Sequence, residues 1–144
     1  MIVPRIAATA WLGASLWGSL SAAGAWAQET GRSSGALSVA EALLEAFNRH
    51  DPEAMAALVA PDFELYYVDE EGVAELAVRG PVELVAEMTA YFESLPSVRS
   101  TIAAAIDGPV YVSFREQIVG GQSSLAVYEI RHDLIRRVWY YPAE

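Results

Sequence analysis

The sequence predicts an α+β domain in which helices pack on one face of a curved antiparallel sheet. Three observations carry this. Helical periodicity with capping signals occupies residues 38 to 60 and returns once, after a pair of alternating runs, at residues 80–95. From residue 98 onward the pattern is strand-like, in four runs at 98–106, 109–119, 123–131 and 134–141. Asp107-Gly108 and Gly120-Gly121 punctuate those runs where hairpins turn. With 144 residues, 53% hydrophobic and 19% charged, the chain has the length of one domain and enough apolar surface for one core.

In chain order, residues 1–27 read as an export signal. Arg5 gives a positive start, Ile6 to Leu20 form an uncharged stretch, and Ala25-Trp26-Ala27 supplies the small-x-small cleavage pattern, with the cut after Ala27. The run is shorter and less apolar than the ~20 residues a membrane-spanning helix needs. The expectation is a periplasmic or secreted bacterial protein with no membrane attachment after processing. The absence of cysteine rules out a disulfide framework, a thiolate metal site and a cysteine nucleophile.

Residues 28–37 are polar and rich in glycine and serine, a flexible lead, and the domain is expected over 38–144. Ser38 with Glu41 reads as a capping box for a helix over 39–49. Asp51-Pro52 starts a second helix with Met55, Leu58 and Val59 as its apolar face, ended by Pro61. Phe63, Leu65 and Tyr67 alternate with Glu64, Tyr66 and Val68 in a strand. After a turn at Asp69 to Gly72, residues 73–78 return as a second strand. Gly80-Pro81 opens the third helix, whose inner face is Leu84, Val85, Met88, Tyr91 and Phe92.

Three stretches resemble the nuclear transport factor 2-like superfamily, in its SnoaL-like and ketosteroid-isomerase-like branch. They are AFNRHDPEAMAALVAPDFEL (46–65), VRGPVELVAEMTAYFESLP (78–96) and LAVYEIRHDLIRRVWYY (125–141). The resemblance implies a cone around a deep apolar pocket, and dimers formed through the sheet. It implies catalysis less clearly. The steroid-isomerase base position falls at Tyr67, the oxyanion tyrosine at Leu43 and the oxyanion aspartate near Ala126, so all three roles are vacant. A slip of one or two residues brings Asp69 toward the base position. Arg131 and Asp133 have the arginine-x-aspartate spacing of the epoxide-hydrolase relatives but sit at a hairpin turn. His50 and His132 read as surface residues.

The charge balance excludes other classes. There are 9 basic residues, all arginine, against 19 acidic ones, a net charge of −10, which opposes nucleic-acid binding. Arg136-Arg137 is too short for a basic patch. His50-Asp51 and His132-Asp133 are adjacent pairs that do not converge on an ion, so no metal and no cofactor are expected.

The candidate site is therefore a pocket. By the family pattern, the odd positions of the last strand face it, which gives Arg137, Trp139 and Tyr141 as ligand-binding residues with Tyr67 and Tyr91. Asp69 and Glu87 are the candidate catalytic carboxylates. Arg137 is expected to meet Glu87, Asp69, Glu129 or an anionic ligand. No Asp-Gly or Asn-Gly marks the final hairpin, so the register admits Arg136 in place of Arg137. Tyr66 and Tyr140, of opposite parity, are expected on the outer face where a homodimer forms. Three readings stay open. The first is a binder of a small apolar or aromatic molecule. The second is an isomerase, dehydratase or cyclase working by acid–base chemistry. The third is a non-catalytic dimeric assembly module.

Overall fold

The chain runs two helices, two strands, a helix and four strands in the computed structural model, which describes residues 35–143. The elements are α1 (Gly35–Asn48), α2 (Pro52–Ala56), β1 (Val59–Val68), β2 (Ala74–Arg79), α3 (Gly80–Ser94), β3 (Ser100–Asp107), β4 (Tyr111–Ile118), β5 (Ser123–Arg131) and β6 (Leu134–Ala143). The export signal and the first part of the polar lead lie outside the described residues.

α1 begins at Gly35, inside the expected lead, so Ser38 sits within the helix. Ala36, Ala40, Leu43 and Ala46 recur at helical spacing and are all buried, and that continuous apolar stripe extends past the capping box. α2 starts as expected: the Asp51 carboxylate accepts a hydrogen bond from the Ala54 amide at 3.0 Å, with Pro52 in the first turn. It ends earlier than expected. Val59 already belongs to β1, and Pro61 lies within that strand, where the pairing shifts register between Val59 and Glu64. A proline lacks the N–H that regular pairing needs, so it is tolerated at such an irregularity. α3 opens at Gly80, whose φ of 77° suits glycine, and the Glu83 carboxylate reaches back to the Arg79 amide at 2.8 Å.

The six strands form one open sheet in the order β2-β1-β6-β5-β4-β3. The expectation of an antiparallel sheet needs one correction: β6 returns beside β1 and runs parallel to it, so the sheet is mixed. This pairing sets Leu65 beside Val138, Tyr66 beside Trp139 and Tyr67 beside Tyr140. The helices cover one face, where Phe63, Val112, Phe114, Ala126, Ile135 and Val138 are at most 1% exposed.

The last strand carries a bulge. Ile130 pairs with Ile135 and Glu129 with Arg137, leaving Arg136 without a cross-strand partner. One extra residue reverses the alternation beyond it. Ile135 points into the core, and so do Val138 and then Tyr140. The expected parity of β6 is thereby inverted: Arg137, Trp139 and Tyr141 share a face with Leu125, Val127 and Glu129, away from the helices. The β5–β6 turn explains how the hairpin closes without glycine. His132 and Asp133 both take left-handed backbone angles, φ 54° and 61°, as a tight primed turn demands.

Candidate functional site

A cavity of about 250 Å³ lies between the inner face of the sheet and the helices. Leu43 and Phe47 of α1, Met55 of α2, and Leu84, Met88 and Tyr91 of α3 form its helical wall. The sheet contributes Phe63, Leu65 and Tyr67 from β1, Glu116 and Ile118 from β4, Ser124 from β5, and Val138 and Tyr140 from β6. Uninterrupted alternation in β1 after Pro61 aims Phe63, Leu65 and Tyr67 the same way. The parallel β1–β6 pairing then stacks Tyr67 on Tyr140 with ring centroids 5.8 Å apart. Phe47 packs on Tyr91 at 6.1 Å and on Phe92 at 5.2 Å, tying the α1 and α3 walls together.

Glu116 is the carboxyl of this wall, which also holds the polar side chains of Gln122 and Ser124, and it was not singled out from the sequence. On β4, Val112, Phe114 and Glu116 alternate inward, and the carboxyl is 9% exposed. Its Oε1 accepts a hydrogen bond from Ser100 Oγ at 2.8 Å. Its Oε2 meets no hydrogen-bond partner among the described residues. Ser100 is itself held: its amide donates to Asn48 Oδ1 at 2.8 Å, and its carbonyl accepts from Asn48 Nδ2 at 2.9 Å. A chain of polar contacts thus runs from the end of α1 through the edge strand to the cavity. Burial raises the Glu116 carboxyl above the usual carboxylate range, and the hydroxyls of Ser100 and Tyr140 act in the opposite sense.

Tyrosines surround that carboxyl. Tyr128 and Tyr140 share a hydroxyl–hydroxyl hydrogen bond of 3.0 Å, and burial holds both well above the usual tyrosine range. Tyr91 is raised as well, by burial and by the negative charge of Glu116. The arrangement offers one carboxyl with a free acceptor position, several hydroxyls and an apolar surround. Among the described residues no arginine lines it.

Of the residues expected from the sequence, Tyr67 and Tyr91 line the cavity. Tyr140, expected on the outer face, lines it too, because of the bulge at Arg136. Arg137, Trp139 and Tyr141 are carried to the outer face for the same reason. There Arg137 meets Glu129 at 3.1 Å, one of the partners expected for it, and Glu64 at 3.2 Å. Trp139 stacks on Tyr66 at 6.1 Å, and Tyr66 donates to Glu64 Oε2 at 2.8 Å. Hydrogen bonds from Tyr66 and Arg137 hold Glu64 below the usual carboxylate range, and Arg131 and Arg137 do the same for Glu129. Arg136 turns instead to Asp62.

Asp69 is not in the cavity. It stands past the end of β1, exposed, and its Oδ1 accepts from the Val73 amide at 2.8 Å to close the β1–β2 turn. Glu87 is exposed on α3 outside the lining, near enough for its charge to act on the Tyr67 hydroxyl. His50 has a structural place: its ring stacks on Phe92 at 4.4 Å and Nε2 lies 2.8 Å from the Val98 carbonyl. His132 is exposed in the final turn.

Among curated proteins none matches the chain. Solved structures do. A SnoaL-like protein of Burkholderia thailandensis, of unknown function, superposes with a TM-score of 0.62 at 18% identity, covering 76% of this chain and 95% of that one. A cystatin-fold protein of Novosphingobium aromaticivorans gives 0.60 at 22% identity, covering 72% and 95%. A protein with a ketosteroid isomerase-like fold from Catenulispora acidiphila, in complex with trimethylamine, gives 0.55 at 19% identity, covering 73% and 85%. Likeness at these identities carries the fold alone. The sequence pattern of the SnoaL-like domain matches residues 40–138, and the chain belongs to that family.

Proposed function

We propose that the protein is an exported binder of a small, largely apolar molecule, held in the cavity between α3 and the sheet with Glu116 as its polar anchor. One observation carries the reading: a nine-tenths buried Glu116, with one carboxyl oxygen unpartnered among the described residues, stands in the wall of a largely apolar and aromatic cavity. Apolar cavities with a few convergent polar groups are the usual form of a small-molecule site. The same carboxyl favours a second reading, acid–base chemistry on the bound molecule, because burial brings its proton affinity closer to neutrality, where such a group exchanges protons usefully.

Met88→Trp tests the binding reading. Met88 is a half-buried wall residue of α3, and an indole there fills the space a ligand needs. Native mass spectrometry of protein isolated gently from its host should detect a retained small molecule on the wild type and none on the variant. Equal retention by both would remove the cavity as the binding place.

The outer sheet face supports a homodimer as a further part of this proposal. Leu76, Tyr111, Leu125 and Tyr141 are exposed there, around the Arg137–Glu129 and Arg137–Glu64 pairs. Trp139→Glu adds a charge to that face and should convert a dimer to monomer in sedimentation velocity. A wild type that sediments as a monomer would end the dimer reading and leave the cavity reading untouched.

A further inference from the structure

We propose that the cavity selects a protonated amine: a small apolar ammonium whose N–H donates to Glu116 Oε2. This rests on the reading of the cavity as a ligand site and names the chemical class it takes. Several features in and around the cavity converge on a cation. Glu116 already accepts the Ser100 hydroxyl on Oε1, and Oε2 remains an acceptor without a partner among the described residues. A buried acceptor of that kind is costly until a donor reaches it, and a charged donor satisfies it best. No arginine lines the cavity among the described residues, so nothing in the wall compensates an anion.

The rings of Phe47, Tyr67, Tyr91 and Tyr140 line the same space, and aromatic faces attract a cation while also accepting its alkyl groups. Outside the lining, the exposed carboxylate of Glu87 lies near enough to act on Tyr67, which adds to the negative potential at that wall. Ser100 is fixed by two hydrogen bonds to Asn48, so the carboxyl is aimed by a rigid support. The titratable groups facing Glu116 are Tyr67 of β1, Tyr91 of α3, Tyr128 of β5 and Tyr140 of β6. Each is a phenol that is neutral around pH 7, so Glu116 is the group whose proton changes hands. Burial raises its proton affinity in the empty cavity, and an ammonium beside the carboxylate opposes that rise.

The test uses two shape-matched pairs of different size on the purified protein at pH 7: N,N-dimethylethylamine with butanone, and N,N-dimethylbenzylamine with phenylacetone. Within each pair a protonated amine replaces a neutral carbonyl of nearly the same shape. Titration followed by amide chemical shifts should give the amine of at least one pair roughly tenfold tighter binding than its ketone. Glu116→Gln, which keeps the volume and removes the charge, should bring that pair close to parity. The affinity for the amine should fall as pH is lowered and Glu116 takes up its proton in the wild type, and Glu116→Gln should abolish that dependence. Ketones that bind as tightly as their amines, or more tightly, overturn the amine class and leave the cavity as a ligand site. Failure of all four probes to shift the cavity residues overturns the amine proposal and the small-ligand reading together. An amine preference that survives in Glu116→Gln assigns the selectivity to the rings and overturns the role given to the carboxyl.

Discussion

Replacing Phe114 by alanine should lower the unfolding free energy by about 3–5 kcal/mol, the range for a fully buried phenylalanine. Its ring is 1% exposed at an inward position of β4, two residues before Glu116. It meets the ring of Tyr128 edge to face at a centroid distance of 4.9 Å. Leu43, Phe47, Met55 and Ile102 surround the same region, where a void of about 20 Å³ already exists. Removal of the ring enlarges that void. The sheet beneath is held by pairing on both sides of β4, so only the α1 wall is able to settle inward.

Urea denaturation at 25 °C measures the loss. A domain of this size has about 5–15 kcal/mol in total, so the variant should unfold at markedly lower urea and possess little margin at 37 °C. Val82→Ala, on α3 where the residue is 84% exposed, should stay within about 0.5 kcal/mol of wild type. A Phe114→Ala cost below about 1.5 kcal/mol would mean that α1 collapses into the gap, against the rigidity assigned to this wall. The effect also reaches function. Tyr128 leans on Phe114 and holds the Tyr140 hydroxyl, so loosening this cluster should weaken ligand binding even in folded protein.

The parts of this architecture that were legible in the sequence are those where one local rule acts alone. Phe63, Leu65 and Tyr67 alternate without interruption, and all three line the cavity. Asp51-Pro52 combines a cap with a first-turn proline, and α2 starts there. Two rules compete elsewhere. Ser38 and Glu41 form a plausible capping box, but the buried stripe from Ala36 to Ala46 extends the helix past it. Pro61 resembles a helix terminator, yet the strand has already begun at Val59 and absorbs it in an irregular stretch.

The last strand was the costliest to read. Ile135 to Tyr141 looks like unbroken alternation, and nothing local marks Arg136 as the bulged residue. Its position is settled by pairing with β1 and β5 at once, together with the ion pair to Asp62, and the contacts to β1 and Asp62 are distant in sequence. The inversion exchanges Tyr140 for Trp139 in the cavity and leaves Arg137 to the outer ion pairs. Glu116 differs, because its signal was present. Val112, Phe114, Glu116 and Ile118 share one parity, and a carboxylate at the third of four inward positions is a local conflict of the kind that marks a functional group.

That conflict predicts a pH dependence with a definite sign. Glu116 has its folded-state proton affinity raised by burial, so the folded protein binds its proton more tightly than the unfolded chain does. Below the ordinary value of 4.5 the group is protonated in both states and its contribution to stability is fully present. As pH rises past 4.5 the unfolded chain releases the proton first, and stability declines until pH passes the folded-state value, where the loss levels off. Glu64, Glu129 and Asp62 act oppositely. Their carboxyls are lowered by arginine or tyrosine partners, so their contribution is present at neutral pH and fades as pH falls.

The sum of these terms conceals the Glu116 term in the wild type alone, and the difference from Glu116→Gln isolates it. Between pH 4.5 and neutrality the wild type should lose on the order of 1–3 kcal/mol relative to the variant, the cost of an incompletely partnered buried carboxyl. Urea midpoints across this interval measure the divergence. Parallel pH curves for the two proteins would show that the carboxyl titrates as if in water, and the anchor assigned to the cavity would lose its physical basis. If the curves diverge and an added amine brings them back together, the cation restores what burial took from the carboxylate, since binding to the folded state alone adds to its stability.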